Sequence, residues 1–85
     1  MIMMKIAPNI YYRYEKNFDD GLLIIFNQIS GELYEADENA WAILDYINAP
    51  GSTEENIYSN VNLPKETVDL YLEQLLEMGI VVNGH

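Results

Sequence analysis

The spacing of apolar residues changes at residue 37, and this change constrains the fold more than any other feature of the chain. Over residues 10–15, β-branched and aromatic side chains alternate with a period of two, which is typical of a strand with one buried face. After residue 37, Ala40, Ile43 and Leu44 begin a series spaced three and four residues apart, which indicates one face of a helix. The sequence therefore predicts strands first and helices afterwards.

Turn residues separate two further segments that are typical of strands. Residues 17–21, which include Asp19, supply the first turn. Residues 22–26 are all apolar, and we interpret them as a central strand covered on both faces. Residues 27–31 supply a second turn, and residues 32–36 form the third strand. Hairpin order places this third strand at the side of the sheet, so its far side is expected to be a free edge.

Three helices are predicted in the second half of the chain. Asp37 suits the N-cap of the first. Residues 52–55 carry a capping-box signature with Ser at the cap, which predicts a short second helix that begins there. The third helix is expected from about Pro64 to Met78, and residues 80–82 form a short extended segment.

These elements predict one α+β domain that spans residues 1–85. Its N-terminal three-stranded antiparallel sheet is followed by three helices, and the tight turns between the helices favour a winged helix-turn-helix arrangement. A chain of 85 residues with 49% hydrophobic residues is sufficient for one modest core.

The net charge of −10 argues against binding to nucleic acid, because that binding depends on cations that neutralise phosphates. The third helix, a candidate recognition helix, carries Lys65 as its only cation against four acids. The acidity is consistent with simple solubility or with a basic partner.

The residue types needed for catalysis are scarce. The chain has no cysteine, and its one histidine is His85, the last residue. The carboxylates lie in turns and on a solvated helix face, so we expect no catalytic residues, no metal site and no cofactor. Without a membrane-length apolar run or a signal peptide, a cytoplasmic protein is expected.

The surface suggests a binding function instead. A free strand edge beside the third helix can accept an extended peptide as an added strand. On that helix, Thr67, Tyr71, Gln74 and Met78 lie to one side of the core stripe. Tyr71 and Met78 suit a groove wall, or alternatively they cap only the edge of the core.

Four segments together resemble the PqqD-like proteins, also called RiPP precursor peptide recognition elements. They are the hairpin end at residues 30–36, the helix at 37–44, the helix start at 53–57, and a last helix with Val68, Tyr71, Leu72, Leu75, Gly79 and Ile80. The resemblance covers about residues 10–82.

The resemblance implies a winged helix-turn-helix fold that binds the leader of a ribosomally made precursor peptide. The leader adds as a strand to the third strand, here Glu32, Leu33, Tyr34, Glu35 and Ala36. It packs against the third helix, here Thr67, Tyr71, Gln74 and Met78. The family delivers the peptide to a tailoring enzyme such as a radical S-adenosylmethionine enzyme, a cyclodehydratase or a leader protease. Three alternatives stay open: an acidic helix-turn-helix regulator, a structural subunit and a small enzyme.

Overall fold

The computed structural model describes residues 3–18 and 20–84. The elements in chain order are β1 (Met3–Ile6), β2 (Ile10–Glu15), β3 (Leu22–Asn27), β4 (Leu33–Ala36), α1 (Glu38–Asn48), α2 (Ile57–Asn60), α3 (Lys65–Glu77) and β5 (Val81–Gly84). Asp19, which the sequence assigns to the first turn, and His85, the last residue, lie outside the described residues.

The three predicted strands form an antiparallel sheet in the order β2-β3-β4, so the three-stranded sheet and the three helices are confirmed. Asn27 shapes the second turn, because its Oδ1 accepts hydrogen bonds from the amides of Ile29 and Ser30 at 2.9 and 3.1 Å. The third strand begins one residue later than predicted. Glu32 lies just before the strand, although its carbonyl still accepts from the amide of Asn27 at 2.9 Å.

A second sheet contains most of the extended segment predicted at residues 80–82, together with β1, which was not predicted. β1 pairs with β5 antiparallel, so one strand precedes the three-stranded sheet and another follows the helices. The inner side of this ribbon is apolar: Met4 and Val81 are buried, as is Ile80 just before β5. Through this side the ribbon contacts α1 and α3 and completes the core.

The interpretation of β3 as covered on both faces is wrong. Leu23 and Ile25 are fully buried against the helices, whereas Phe26 is 37% exposed and Ile24 is only half-buried. The core lies on one face of the sheet alone, so an apolar run of five residues produced a strand with one covered face.

The helix ends follow the local sequence, with one exception. Asp37 caps α1, since its Oδ1 accepts from the amide of Ala40 at 3.1 Å. At the end of α3, Gly79 has a φ of 72°, and the amides of Gly79 and Ile80 bond to the carbonyls of Leu76 and Leu75, which is the Schellman pattern.

The exception is the start of α2, which lies several residues beyond the predicted capping box. The Ser52 hydroxyl donates to the carbonyl of Ile47 at 2.8 Å, and Thr53 Oγ1 accepts from the amide of Asn56 at 3.3 Å. Ser52 is buried at the end of α1, so its hydroxyl bonds back to that helix and does not cap the next one.

Candidate functional site

The outer edge of β4 is free among the described residues, because β4 is the last strand of its sheet. In an antiparallel ladder, hydrogen-bonded and non-bonded residue pairs alternate. Asn27 bonds to Glu32, and the register then pairs Phe26 with Leu33. The main-chain groups of Leu33 and Glu35 therefore point away from β3, toward the free edge.

A groove lies behind this edge, between β4, α1 and α3. Its cavity has a volume of about 130 Å³. Its lining consists of Ile25, Tyr34, Glu35, Ala36, Ala40, Tyr71, Gln74, Leu75, Met78 and Ile80. A cavity of about 150 Å³ lined by apolar side chains holds a benzene molecule. The groove is slightly smaller than such a cavity, so it has room for one apolar side chain.

Six of the nine residues predicted for the site line this groove. They are Tyr34, Glu35, Ala36, Tyr71, Gln74 and Met78, and among them Glu35 borders the groove although its side chain alternates to the outer face of the sheet. Three others do not line it. Leu33 is 62% exposed on the opposite face of the strand, Glu32 precedes the strand, and Thr67 is half-buried in the first turn of α3. Leu33 still contributes to the edge through its main chain.

The floor of the groove was not predicted. Ile25, Ala40, Leu75 and Ile80 are each at most 5% exposed, and they come from β3, from α1 and from the C-terminal end of α3, where the amide of Ile80 donates to the carbonyl of Leu75. The spacing that assigns Ala40 and Leu75 to the core identifies them only as buried residues. One signal was present: Ala40 is a small side chain at a core position of α1, where it leaves space.

Tyr71 both lines the groove and fixes one end of it. Its hydroxyl donates to Asp37 Oδ2 at 2.5 Å, while Asp37 Oδ1 caps α1. Its ring also packs against the core. Tyr71 therefore lines the groove and also packs on the edge of the core, and one carboxylate links α3 to the start of α1.

The hydrogen bond between Tyr71 and Asp37 also shifts the titration of both groups. Partial burial alone would raise the pKa of Asp37, but the hydrogen bonds from Tyr71 and from backbone amides outweigh burial and lower that pKa. The same bond, with burial, raises the pKa of Tyr71. Near neutral pH the pair is thus a carboxylate that accepts from a neutral phenol.

The surroundings of the groove are acidic. The segment 32–38 contains four carboxylates, at Glu32, Glu35, Asp37 and Glu38, and no cation. The one cation of α3, Lys65, bonds to Asp69 at 3.0 Å. A ligand with positive charge next to its apolar anchor therefore matches this surface better than an acidic one.

The described part of the chain brings together no cluster of three side chains suited to a metal ion. It also contains no helix of the length and apolarity needed to cross a membrane.

Comparisons of the chain with protein-family models, with curated proteins and with solved structures find no match.

Proposed function

We propose that the chain is a peptide-recognition domain of winged helix-turn-helix type that binds the leader of a ribosomally made precursor peptide. The leader adds as a fourth strand at β4 and inserts one apolar side chain into the groove. The domain then presents the peptide to a modifying enzyme such as a radical S-adenosylmethionine enzyme, a cyclodehydratase or a leader protease. The domain itself acts as a binding partner and not as a catalyst.

One observation carries this proposal: the free main-chain groups of Leu33 and Glu35 stand beside an apolar cavity of about 130 Å³. Strand addition needs both features, because main-chain bonds supply affinity and a side-chain pocket supplies specificity. The resemblance to the PqqD-like proteins supports the same edge and the same helix.

The charge of α3 favours a peptide over nucleic acid as the ligand. Lys65 bonds to Asp69, while Glu66, Glu73 and Glu77 are exposed. A helix with this charge would repel the phosphates of a DNA groove.

The test is a titration of ¹⁵N-labelled protein with a synthetic leader, taken from a short reading frame beside the gene. We expect the largest shifts at residues 33–36 and 71–78, and slowed exchange of the Leu33 and Glu35 amides. A micromolar dissociation constant corresponds to about −8 kcal/mol, which several main-chain bonds and one filled pocket can supply. Largest shifts on α2 or on the β1–β5 ribbon would contradict the proposed site.

A further inference from the structure

The outer face of the three-stranded sheet, which bears Tyr11, Phe26 and Leu33, carries two rows of side chains that run across the strands. The register places Tyr11, Phe26 and Leu33 directly opposite one another. These three are 60%, 37% and 62% exposed. The neighbouring row consists of Arg13, Ile24 and Glu35. Each row ends on β4, at one of the two residues whose main chain faces the free edge.

A strand added at this edge would extend both rows by one residue. Side chains alternate between the two faces of a strand. The added residue opposite Leu33 and the one opposite Glu35 thus lie on the outer face. The residue between them points into the groove beside Tyr34 and Met78.

The first row favours an apolar residue opposite Leu33. Leu33 is the last member of an exposed apolar row, so a polar residue beside it would leave that apolar surface partly uncovered. An apolar or aromatic residue there removes surface from water on Leu33 and on itself.

The second row favours a cation opposite Glu35. Arg13, at the far end of the row, is paired with Glu15, and Ile24 separates it from Glu35. Within residues 3–18 and 20–84, neither observed ion pair involves Glu35. An acidic residue directly opposite Glu35 would be repelled, because like charges opposite each other destabilise a strand pair.

From these two rows we infer that the edge selects a peptide with three consecutive residues of basic, apolar and apolar character. The middle residue fills the groove, the basic one faces Glu35, and the last one faces Leu33. Antiparallel addition, the pairing at both seams of the sheet, gives this order from the N-terminus to the C-terminus. This inference rests on the proposed strand addition and specifies the chemistry of its ligand.

The experiment is selection of a displayed library of random eight-residue peptides against the full chain. The chains compared are wild type, Glu35→Lys and Glu55→Lys. Glu55 is an exposed carboxylate before α2 that does not line the groove, so its variant carries the same charge change elsewhere. We expect wild type and Glu55→Lys to enrich the basic, apolar, apolar triplet. We expect Glu35→Lys to enrich an acidic residue in place of the basic one.

A synthetic pair of selected peptides, with Lys or Glu at the first position of the triplet, then gives the size of the effect. We expect wild type to bind the Lys peptide about fivefold more tightly than the Glu peptide, which is the strength of a typical cross-strand charge pair. We expect Glu35→Lys to bind the Glu peptide more tightly than the Lys peptide.

Three other outcomes would overturn the inference. In the first, the selected peptides protect the Leu33 and Glu35 amides, but Glu35→Lys does not change which charge they carry. That outcome would refute the triplet and leave strand addition intact. Peptides that leave those amides unaffected, or no enrichment at all, would refute both. Dimerisation through β4 at the selection concentration, seen by sedimentation, would assign the edge to a second copy of the chain.

Discussion

Proline substitutions at two consecutive positions of β4 should differ strongly in how much they destabilise the fold. The amide of Leu33 points to the free edge, whereas the amide of Tyr34 faces β3, opposite Ile25. Proline removes the amide hydrogen and is tolerated in strands only where that hydrogen is not used by a neighbour. Leu33→Pro should therefore leave the ladder intact, and Tyr34→Pro should break it.

The contacts of Tyr34 and Leu33 indicate how much each substitution lowers the free energy of unfolding. Tyr34→Pro loses one ladder bond, worth about 0.5–1.5 kcal/mol, and leaves a carbonyl of β3 without its donor, which costs about 1–3 kcal/mol. It also removes a half-buried ring that packs on the core. We expect a loss of roughly 3–5 kcal/mol, a large part of the roughly 4–13 kcal/mol typical of a chain this long. Leu33→Pro should cost below about 1 kcal/mol, since the Leu33 side chain is 62% exposed.

Urea unfolding followed by the fluorescence of Trp41, the single tryptophan, measures both values. Leu33→Ala is the matched control, because it removes the same side chain and keeps the amide. Leader binding should weaken about tenfold or more in Leu33→Pro and by less than about fivefold in Leu33→Ala, because proline removes an edge donor whereas alanine removes only a cross-strand side-chain contact. If Leu33→Pro unfolds as readily as Tyr34→Pro, the Leu33 amide is not free and strand addition at this edge loses its basis.

Three further substitutions test the groove and its supports. Tyr71→Phe should lower the unfolding free energy by about 0.5–1 kcal/mol at pH 7, because it removes a hydrogen bond to the exposed Asp37. The folded pKa of Asp37 lies below its usual 3.8, so its stabilising contribution is complete above that pH and is lost as pH falls through the folded pKa. Urea midpoints between pH 7 and pH 2 should therefore fall less steeply in Tyr71→Phe. Gly79→Ala should cost about 1–2 kcal/mol, because a φ of 72° strains any side chain although the space is open, and Gly79→Asn should cost less in the same assay. Trp41→Ala removes a ring that stacks on Tyr14 with centroids 4.8 Å apart, which should lower the free energy of unfolding by about 2–3 kcal/mol. The melting temperature, measured by circular dichroism, should then fall by roughly 10–20 °C. An unchanged melting temperature would show that the stack adds little to stability.

Local signals predicted most of the fold, and the parts that were missed depend on contacts distant in sequence. Asp37, Asn27 and Gly79 act within a few residues of their own positions, so their caps and turns could be read directly. The β1–β5 ribbon joins two four-residue segments at opposite ends of the described chain, pairing Met4 with Asn83. Segments this short have little periodicity of their own. The extended segment at residues 80–82 was predicted, but β1 and its pairing with that segment form only once the core brings them together.

The difference between local patterns and contacts distant in sequence also explains which residues of the groove were predicted. Helical spacing on α3 predicted Tyr71, Gln74 and Met78, because that pattern is local, whereas the residues of β4 came from the resemblance to the PqqD-like proteins. The floor unites Ile25, Ala40, Leu75 and Ile80, and the proximity of these residues exists only in the folded chain.

Both edges of the sheet expose alternate main-chain groups, but only β4 has an apolar floor beside it. The register gives β2 free groups at Tyr12 and Tyr14. A depression of about 420 Å³ lies near that edge, yet none of its lining residues is buried, and Glu38 and two asparagines contribute to it. An extended peptide at β2 would thus form main-chain bonds without a deep pocket for a side chain.

The difference between the two edges comes from adjacent residues of α1. Trp41 stacks on Tyr14 and occupies the space beneath β2. Ala40, one residue earlier, lines the groove together with Ala36 of β4, where two small side chains leave the space open. A larger apolar residue at position 40 would occupy this cavity. The groove therefore depends on the small size of Ala40 as much as on the residues that form its walls.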